Sequence, residues 1–194
     1  MSYDIYLFRL DPGTDRCAAL ESLFPEELDG VDPMPAPADP LKEERKRHLA
    51  DILMEINPDL EAFVPDYGEI VRALGITEED ARSRFRGLEL NGPEEGNGIQ
   101  ITLNDDSVAI TIPFWHTGDE AQAVFREIWS YLTAIEREAG FIAFDPQLDR
   151  VLDLEQDSNA ALSAYLGVSN RLPEIVAPLV DDDGDQGSDQ LTLW

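Results

Sequence analysis

Two alternating apolar runs in mid-chain constrain the fold more than any other feature. Ile99, Ile101 and Leu103 share one face of an extended segment, and Val108, Ile110 and Ile112 share one face of the next. Asn104-Asp105-Asp106 between them is turn-forming sequence. Side chains at period two line one side of a strand, so the segment is expected to form a hairpin with one face buried, and an antiparallel sheet around it. A cover for that face follows directly. Thr117-Gly118-Asp119-Glu120 has the form of a full capping box, and Ala121, Val124, Phe125, Ile128, Leu132, Ile135 and Ala139 then recur at helical spacing until Gly140.

Weaker signals fill in the rest. Ile5, Tyr6, Leu7 and Phe8 favour a first strand, closed off by Asp11-Pro12-Gly13. Six prolines between 11 and 40 predict an irregular, extended arm. Asp39 and Pro40 then open a helix whose apolar face is Leu41, Leu49, Ile52, Leu53 and Ile56, stopped by Asn57-Pro58. A helix capped by Asp66 and ended by Gly75 is expected to bury Ile70, Val71 and Leu74. Thr77-Glu78-Glu79-Asp80 opens another, to about Arg86. Leu88 to Asn91 adds a short strand. Phe141 to Phe144 is a short apolar run that fits a strand buried on both faces, Arg150 to Leu154 continues beyond a turn, and Ser158 to Leu166 is a last helix ended by Gly167.

The main elements run strand, helix, strand, strand, helix, strand. That order predicts the α+β class and the split βαβ arrangement of ferredoxin-like folds, an antiparallel sheet with helices on one face and a helical insertion at 60–86. Residues 1–180 are read as a single α+β domain carrying the Pro-rich arm 11–40, and 181–194 as an acidic flexible tail with an apolar end.

Charge narrows the partners. The net charge is −27, with 23 acidic and 10 basic residues in 1–97 and 18 and 4 in 98–194, so acidity is spread over the whole chain. A polyanion repels nucleic acid and anionic membranes and is steered toward basic proteins; the same charge also serves solubility. No window of about 18 apolar residues is present to span a membrane, and Asp4 and Arg9 interrupt the opening apolar stretch, unlike a signal peptide. The lone Cys17 has no partner for a disulfide, which points to a reducing cytoplasm. Only Lys42 and Lys46 among fourteen basic residues are lysine, a bias that accompanies GC-rich bacterial coding.

Catalytic signatures are missing: there is no phosphate-cradling glycine loop, nucleophile elbow, H-E-x-x-H pair or EF-hand loop. Asp181-Asp182-Asp183-Gly184-Asp185 lacks the closing glutamate of a calcium loop, so neither cofactor nor metal is expected. His116 ends a strand ahead of a helix, and Asp145 and Gln147 leave another strand end, which makes His116 and Asp145 the pair an alternative reading, a metal-assisted or general-base hydrolase, would use. The bland reading makes His116 a partly exposed residue bonded near Thr117. Glu120 with Glu127, and Asp145 with Asp149, are carboxylate pairs of the kind chance supplies among 41 acidic residues. His48 is read as a surface residue and Cys17 as an incidental thiol. Trp129 and Tyr131 fall off the main helical stripe and are read as partly exposed. The surface expected to meet a protein partner comprises Trp115, His116, Trp129, Tyr131, Asp145 and Gln147, with Leu191, Leu193 and Trp194 of the tail.

Met1-Ser2-Tyr3-Asp4-Ile5-Tyr6, Pro113-Phe114-Trp115, and Phe144-Asp145-Pro146-Gln147 before Val151-Leu152-Asp153 together resemble a group of small uncharacterised acidic bacterial proteins, some of which resemble toxin-immunity proteins. The resemblance covers about a fifth of the chain. It implies a binding protein and transfers no functional residues. The leading expectation is therefore a non-enzymatic protein-binding protein that neutralises a basic partner, with the oligomeric state left open.

Overall fold

The hairpin is the centre of the computed structural model, which describes residues 2–10, 37–93 and 95–169. β4 (Gln100–Leu103) and β5 (Ser107–Pro113) pair antiparallel, with Ile101 opposite Ile110 and Leu103 opposite Val108, so every apolar position of the alternation falls on one face. β1 (Ser2–Phe8) lies along the other side of β5 and sets Tyr3, Ile5 and Leu7 on that same buried face. β3 (Leu88–Asn91) extends the sheet beyond β4, and β6 (Ile142–Asp145) extends it beyond β1. The short strands β2 (Glu61–Phe63) and β7 (Arg150–Val151) close the edges. The sheet has seven strands in the order β2-β3-β4-β5-β1-β6-β7, antiparallel throughout, which makes the protein α+β.

Two long helices supply the cover. α1 (Pro40–Ile56) starts where Asp39 accepts the Leu41 N–H at 3.0 Å and Pro40 occupies a first-turn position whose N–H has no helical partner. The expected apolar face overshoots at both ends: Leu41 and Ile56 are exposed, and the buried positions are Lys46, Leu49, Ala50 and Leu53. Lys46 is buried because its ammonium reaches Glu43 (2.7 Å), Asp105 (3.1 Å) and the Arg86 carbonyl (2.9 Å), pinning α1 to the β4–β5 turn. Lys42 and Arg45 bond to the same turn through Asp106. Burial alone would raise the Asp105 pKa. The Lys46 hydrogen bond and charge, then Arg86, outweigh it and hold the carboxyl below its usual range.

α2 (Tyr67–Leu74) and α3 (Glu78–Arg84) follow β2. Asp66 and Thr77 cap them as expected, and Gly75 ends α2 in the left-handed conformation. The expected burial of Ile70, Val71 and Leu74 is corrected. No residue of α2 is buried, since two turns cannot both reach the core and bridge β2 to α3, and Ala81 of α3 is the buried anchor of this region instead.

α4 (Gly118–Ala139) packs beside α1, burying Ala121, Val124, Phe125, Ile128, Leu132 and Ile135 as the spacing predicts. Its capping box is not made: Thr117 accepts no N–H through its side chain, and Glu120 turns to His116 instead. α5 (Ser158–Ser169) runs through Gly167 rather than ending there. It seats Tyr165 against Tyr3 and Phe125, where the Tyr165 hydroxyl donates to the Pro113 carbonyl at 2.7 Å. On the opposite sheet face Phe8 and Phe144 form a second, smaller apolar cluster with Leu10, Ile142 and Val151. No helix among the described residues is long and apolar enough to cross a membrane. Residues 11–36, including Cys17, and the tail 181–194 lie outside the described residues.

Candidate protein-docking face

A protein-binding face must expose what folding would otherwise bury. Seven large apolar side chains are exposed among the described residues, and four of them lie together: Phe63 (53%), Val64 (78%), Leu74 (55%) and Phe85 (42%). Register explains the placement. Phe63 stands opposite Glu89, and Glu89 opposite Thr102, so the three share the sheet face turned away from the α1/α4 core and form a floor at the β2 end. The α2 helix and the residues after α3 wall this floor, enclosing a depression of about 790 Å³. Ile70 of α2 also lines it. Asp66, Glu69 and Glu89 stand against a single cation, Arg84, so its border is net acidic. Solitary exposed apolar residues are ordinary on a protein surface, whereas a contiguous group with a charged border is the composition of an interface.

None of Phe63, Val64 or Phe85 was singled out in the sequence, and Leu74 was assigned to the core. One signal was present: Phe63-Val64 stands just before Pro65-Asp66, where no periodic partner run exists to bury it.

The six described residues expected to contact a partner sit elsewhere, and three of them have no surface to offer. His116, Tyr131 and Asp145 are completely buried. The reading of His116 as partly exposed, and of Tyr131 as lying off the buried stripe, is corrected: Tyr131 belongs to the buried face of α4, and its hydroxyl donates to Glu127. Trp129 is half-buried, stacked on Phe125 with its indole N–H donating to the Leu154 carbonyl at 2.9 Å. Trp115 is 60% exposed but lies over Gly98, where an added Cβ would come within 2.6 Å of the indole. Gln147 is exposed. Leu191, Leu193 and Trp194 lie outside the described residues.

His116 and Asp145 are not joined by a hydrogen bond; each has its own partners. The His116 Nε2 meets the Asn97 carbonyl at 2.8 Å and therefore carries hydrogen, while Nδ1 lies 3.3 Å from Glu120. Asn97 in turn donates its amide to Glu127 at 2.8 Å, and the same carboxylate oxygen accepts from Asn57 at 2.6 Å and from the Tyr131 hydroxyl. Glu120 and Glu127 thus belong to one polar seam linking the end of α1, the β3–β4 loop and α4, rather than to an acid–base pair. Burial, followed by the hydrogen bond to Glu127, raises the Tyr131 pKa far above its ordinary value.

Asp145 is a buried acceptor with several donors. One oxygen takes the Tyr3 hydroxyl at 2.5 Å, and the other takes the backbone N–H groups of Gln147 (2.8 Å) and Leu148 (3.1 Å). The Gln147 amide, with its nitrogen turned inward, adds a bond to Asp145 at 3.0 Å and one to the Asp4 carbonyl at 3.1 Å. Three donors thus converge on one oxygen and the Tyr3 hydroxyl on the other, in a carboxylate that is completely buried. Burial, then the bond to Asp145, raises the Tyr3 pKa strongly. Asp149 stands exposed in the β6–β7 turn at φ 50° and does not pair with Asp145. His48 is exposed beside Glu138. Among the described residues no group of three or more His, Cys, Asp or Glu side chains is placed to hold a metal ion.

No family model, curated protein or solved structure matches this chain.

Proposed function

We propose that this chain is a non-enzymatic protein-binding protein that docks a basic partner on the Phe63, Val64, Leu74 and Phe85 face. The observation that carries the reading is the gathering of four large exposed apolar side chains at one acid-bordered depression. An apolar centre contributes most of the binding free energy, and a charged border contributes to encounter and orientation. With a net charge of −27 the body draws cations, so the fitting partner presents an apolar segment flanked by lysine or arginine. A toxin-neutralising role of the immunity type is the specific form of this reading that the sequence resemblance supports.

The scaffold reading accompanies it. We take β1, α1, β4, β5, α4 and β6 as a ferredoxin-like split βαβ unit, supported by the order β4-β5-β1-β6 in mid-sheet, with β2, α2, α3 and β3 as an insertion that carries the docking face. Residues 1–180 are then one α+β domain and 181–194 its acidic tail, in a cytoplasmic protein.

The test compares wild type with Leu74→Glu as baits in the source cell, followed by binding measurements with the purified protein that only wild type retains. Leu74 is exposed, so the variant keeps its fold. The expected result is a basic partner whose affinity falls at least tenfold with Leu74→Glu and whose association rate falls steeply with ionic strength. Equal binding by both baits, or association indifferent to salt, overturns the assignment of this face to a basic partner.

A further inference from the structure

The sheet edge beside the Phe63 face is open. β2 is the last strand on its side, pairs with β3 alone among the described residues, and is exposed at all three positions. Hydrogen-bond alternation settles which of its backbone groups point outward. In an antiparallel ladder successive residues turn N–H and C=O first to one neighbouring strand and then to the other. The Gly92 N–H donates to the Ile99 carbonyl at 2.7 Å, so Leu90 also turns toward β4, and Glu89 and Asn91 turn toward β2. Their opposites, Phe63 and Glu61, therefore make the β2–β3 bonds, and Ala62 between them directs its N–H and C=O away from β3. Leu60 is in step with Ala62, and its N–H likewise goes elsewhere, to the Asn57 carbonyl at 3.2 Å. Among the described residues no strand lies beyond β2 to meet the Ala62 groups. β7, the opposite edge, is two residues long and contributes none of the exposed large apolar side chains.

We propose that an extended segment of the basic partner adds to this edge as a further strand, antiparallel to β2. The proposal rests on the reading that a basic partner docks at this end of the sheet, and it names the conformation and the sequence that partner brings. A residue opposite Ala62 supplies the hydrogen-bond partners that Ala62 lacks. Its two neighbours then stand opposite Phe63 and Glu61, on the sheet face turned from the core, in the closer of the two antiparallel pairings. An apolar side chain complements Phe63 and a cation complements Glu61. Because the strands run in opposite directions, the partner carries an apolar residue followed two positions on by lysine or arginine. The surroundings extend the match: residues 49–71 hold six carboxylates, among them Asp59 and Asp66 flanking β2, and no lysine or arginine. A second copy of this chain would bring the same carboxylates to the joint, where like charges repel, whereas a basic segment is drawn to them.

The test titrates the isotope-labelled full chain with acetyl-Lys-Thr-Val-Thr-Lys-Thr-Lys-amide, whose valine and middle lysine stand opposite Phe63 and Glu61 when its central threonine faces Ala62. The expected result is a saturable downfield shift of the Ala62 amide and its protection from solvent exchange. The same peptide N-methylated at the central threonine should bind about tenfold more weakly. Ala62→Pro removes an N–H that β3 does not use and should weaken the unmodified peptide at least as much, with the β3 amides unchanged as the check on its fold. Equal binding of the two peptides, or an Ala62 amide that does not respond, overturns strand addition; if Leu74→Glu weakens such binding, the docking face stands without it. Binding that needs Ala62 and is indifferent to Leu74→Glu supports the edge and removes the depression from the interface. An Ala62 amide that shifts with protein concentration before any peptide is added assigns the edge to a second copy and overturns the proposal.

Discussion

Replacing Asp145 separates a structural carboxylate from a chemical one, and the two substitutions Asp145→Ala and Asp145→Asn are expected to differ sharply. In the alanine variant the Tyr3 hydroxyl loses its 2.5 Å acceptor at a fully buried position, and two backbone N–H groups of the following turn lose theirs. Hydrogen bonds to a charged group contribute about 1.5–3 kcal/mol each, and a stranded buried donor loses its full hydration. Gln147 and its neighbours lie near solvent, so water replaces part of the turn's loss; the Tyr3 bond is not replaced in the same way. The expected cost of Asp145→Ala is about 3–5 kcal/mol. Asparagine keeps the oxygen that serves the turn. Its amide nitrogen then faces Tyr3, whose hydroxyl can accept that bond and direct its own hydrogen to the Ala161 carbonyl, 3.3 Å away. The cost of Asp145→Asn should be only about 1 kcal/mol, the difference between a charge-assisted and a neutral bond. Urea unfolding followed by tryptophan fluorescence measures both. An alanine variant within 1 kcal/mol of wild type, or an asparagine variant as damaged as alanine, would refute this account of the network.

Three further outcomes follow from the geometry. Lys46→Met should cost about 2–4 kcal/mol by leaving Asp105 with Arg86 alone. The Asp105 pKa is depressed, so its stabilisation is present above about pH 4 and is lost as pH falls through the folded value; acid unfolding followed by circular dichroism should therefore begin at higher pH in the variant, and an unchanged midpoint contradicts the pairing. Tyr131→Phe should lose about 1–2 kcal/mol at neutral pH with the Glu127 bond. Because the Tyr131 pKa is raised, that contribution is intact below about pH 10 and fades above it, so the gap between variant and wild type in unfolding experiments should close in alkali; a constant gap argues against the bond. Gly98→Ala places a Cβ 2.6 Å from the Trp115 indole at a φ of 56°, and should cost about 1–3 kcal/mol and shift Trp115 emission, whereas an unperturbed spectrum would mean that the ring does not rest on Gly98.

The elements written in strong periodicity were legible: the hairpin from 99 to 112, α4 and its glycine stop, and the Asp39-Pro40 start of α1. The errors share one physical cause, namely that periodicity says which side chains share a face and not what lies opposite that face. Ile70, Val71 and Leu74 form a good stripe on α2, yet the helix stands at the sheet's end where nothing covers it. Lys46 reads as a surface lysine until the fold brings Asp105, Glu43 and the Arg86 carbonyl to it across as many as 59 residues of sequence. The strand β2 was missed because three exposed residues carry no alternation, and their pairing with β3 is set by the backbone. At His116 the strand–helix junction was legible and the environment was not: the Asn97 carbonyl that holds the ring comes from a loop whose approach no local pattern encodes.

The buried polar groups of this protein and its exposed apolar side chains lie apart, an arrangement that accords with the proposed binding role. A catalytic group needs a free lone pair or proton beside open space. His116 through Nε2, Glu127, and Asp145 bond neighbours in the polar seam, the Tyr3 hydroxyl and the turn after β6, where they fix the ends of α1, α4 and β6 against the sheet, and among the described residues the buried His116 Nδ1 makes no hydrogen bond. Apolar surface, by contrast, is left open at the β2 end, where the short α2 stays outside the core and leaves Leu74 beside Phe63 and Phe85. Keeping such side chains in water contributes nothing to folding and forgoes about 1.5–3 kcal/mol for each one that full burial would supply. On the proposed reading that stabilisation is available to a partner, and the acidic border would favour a basic one.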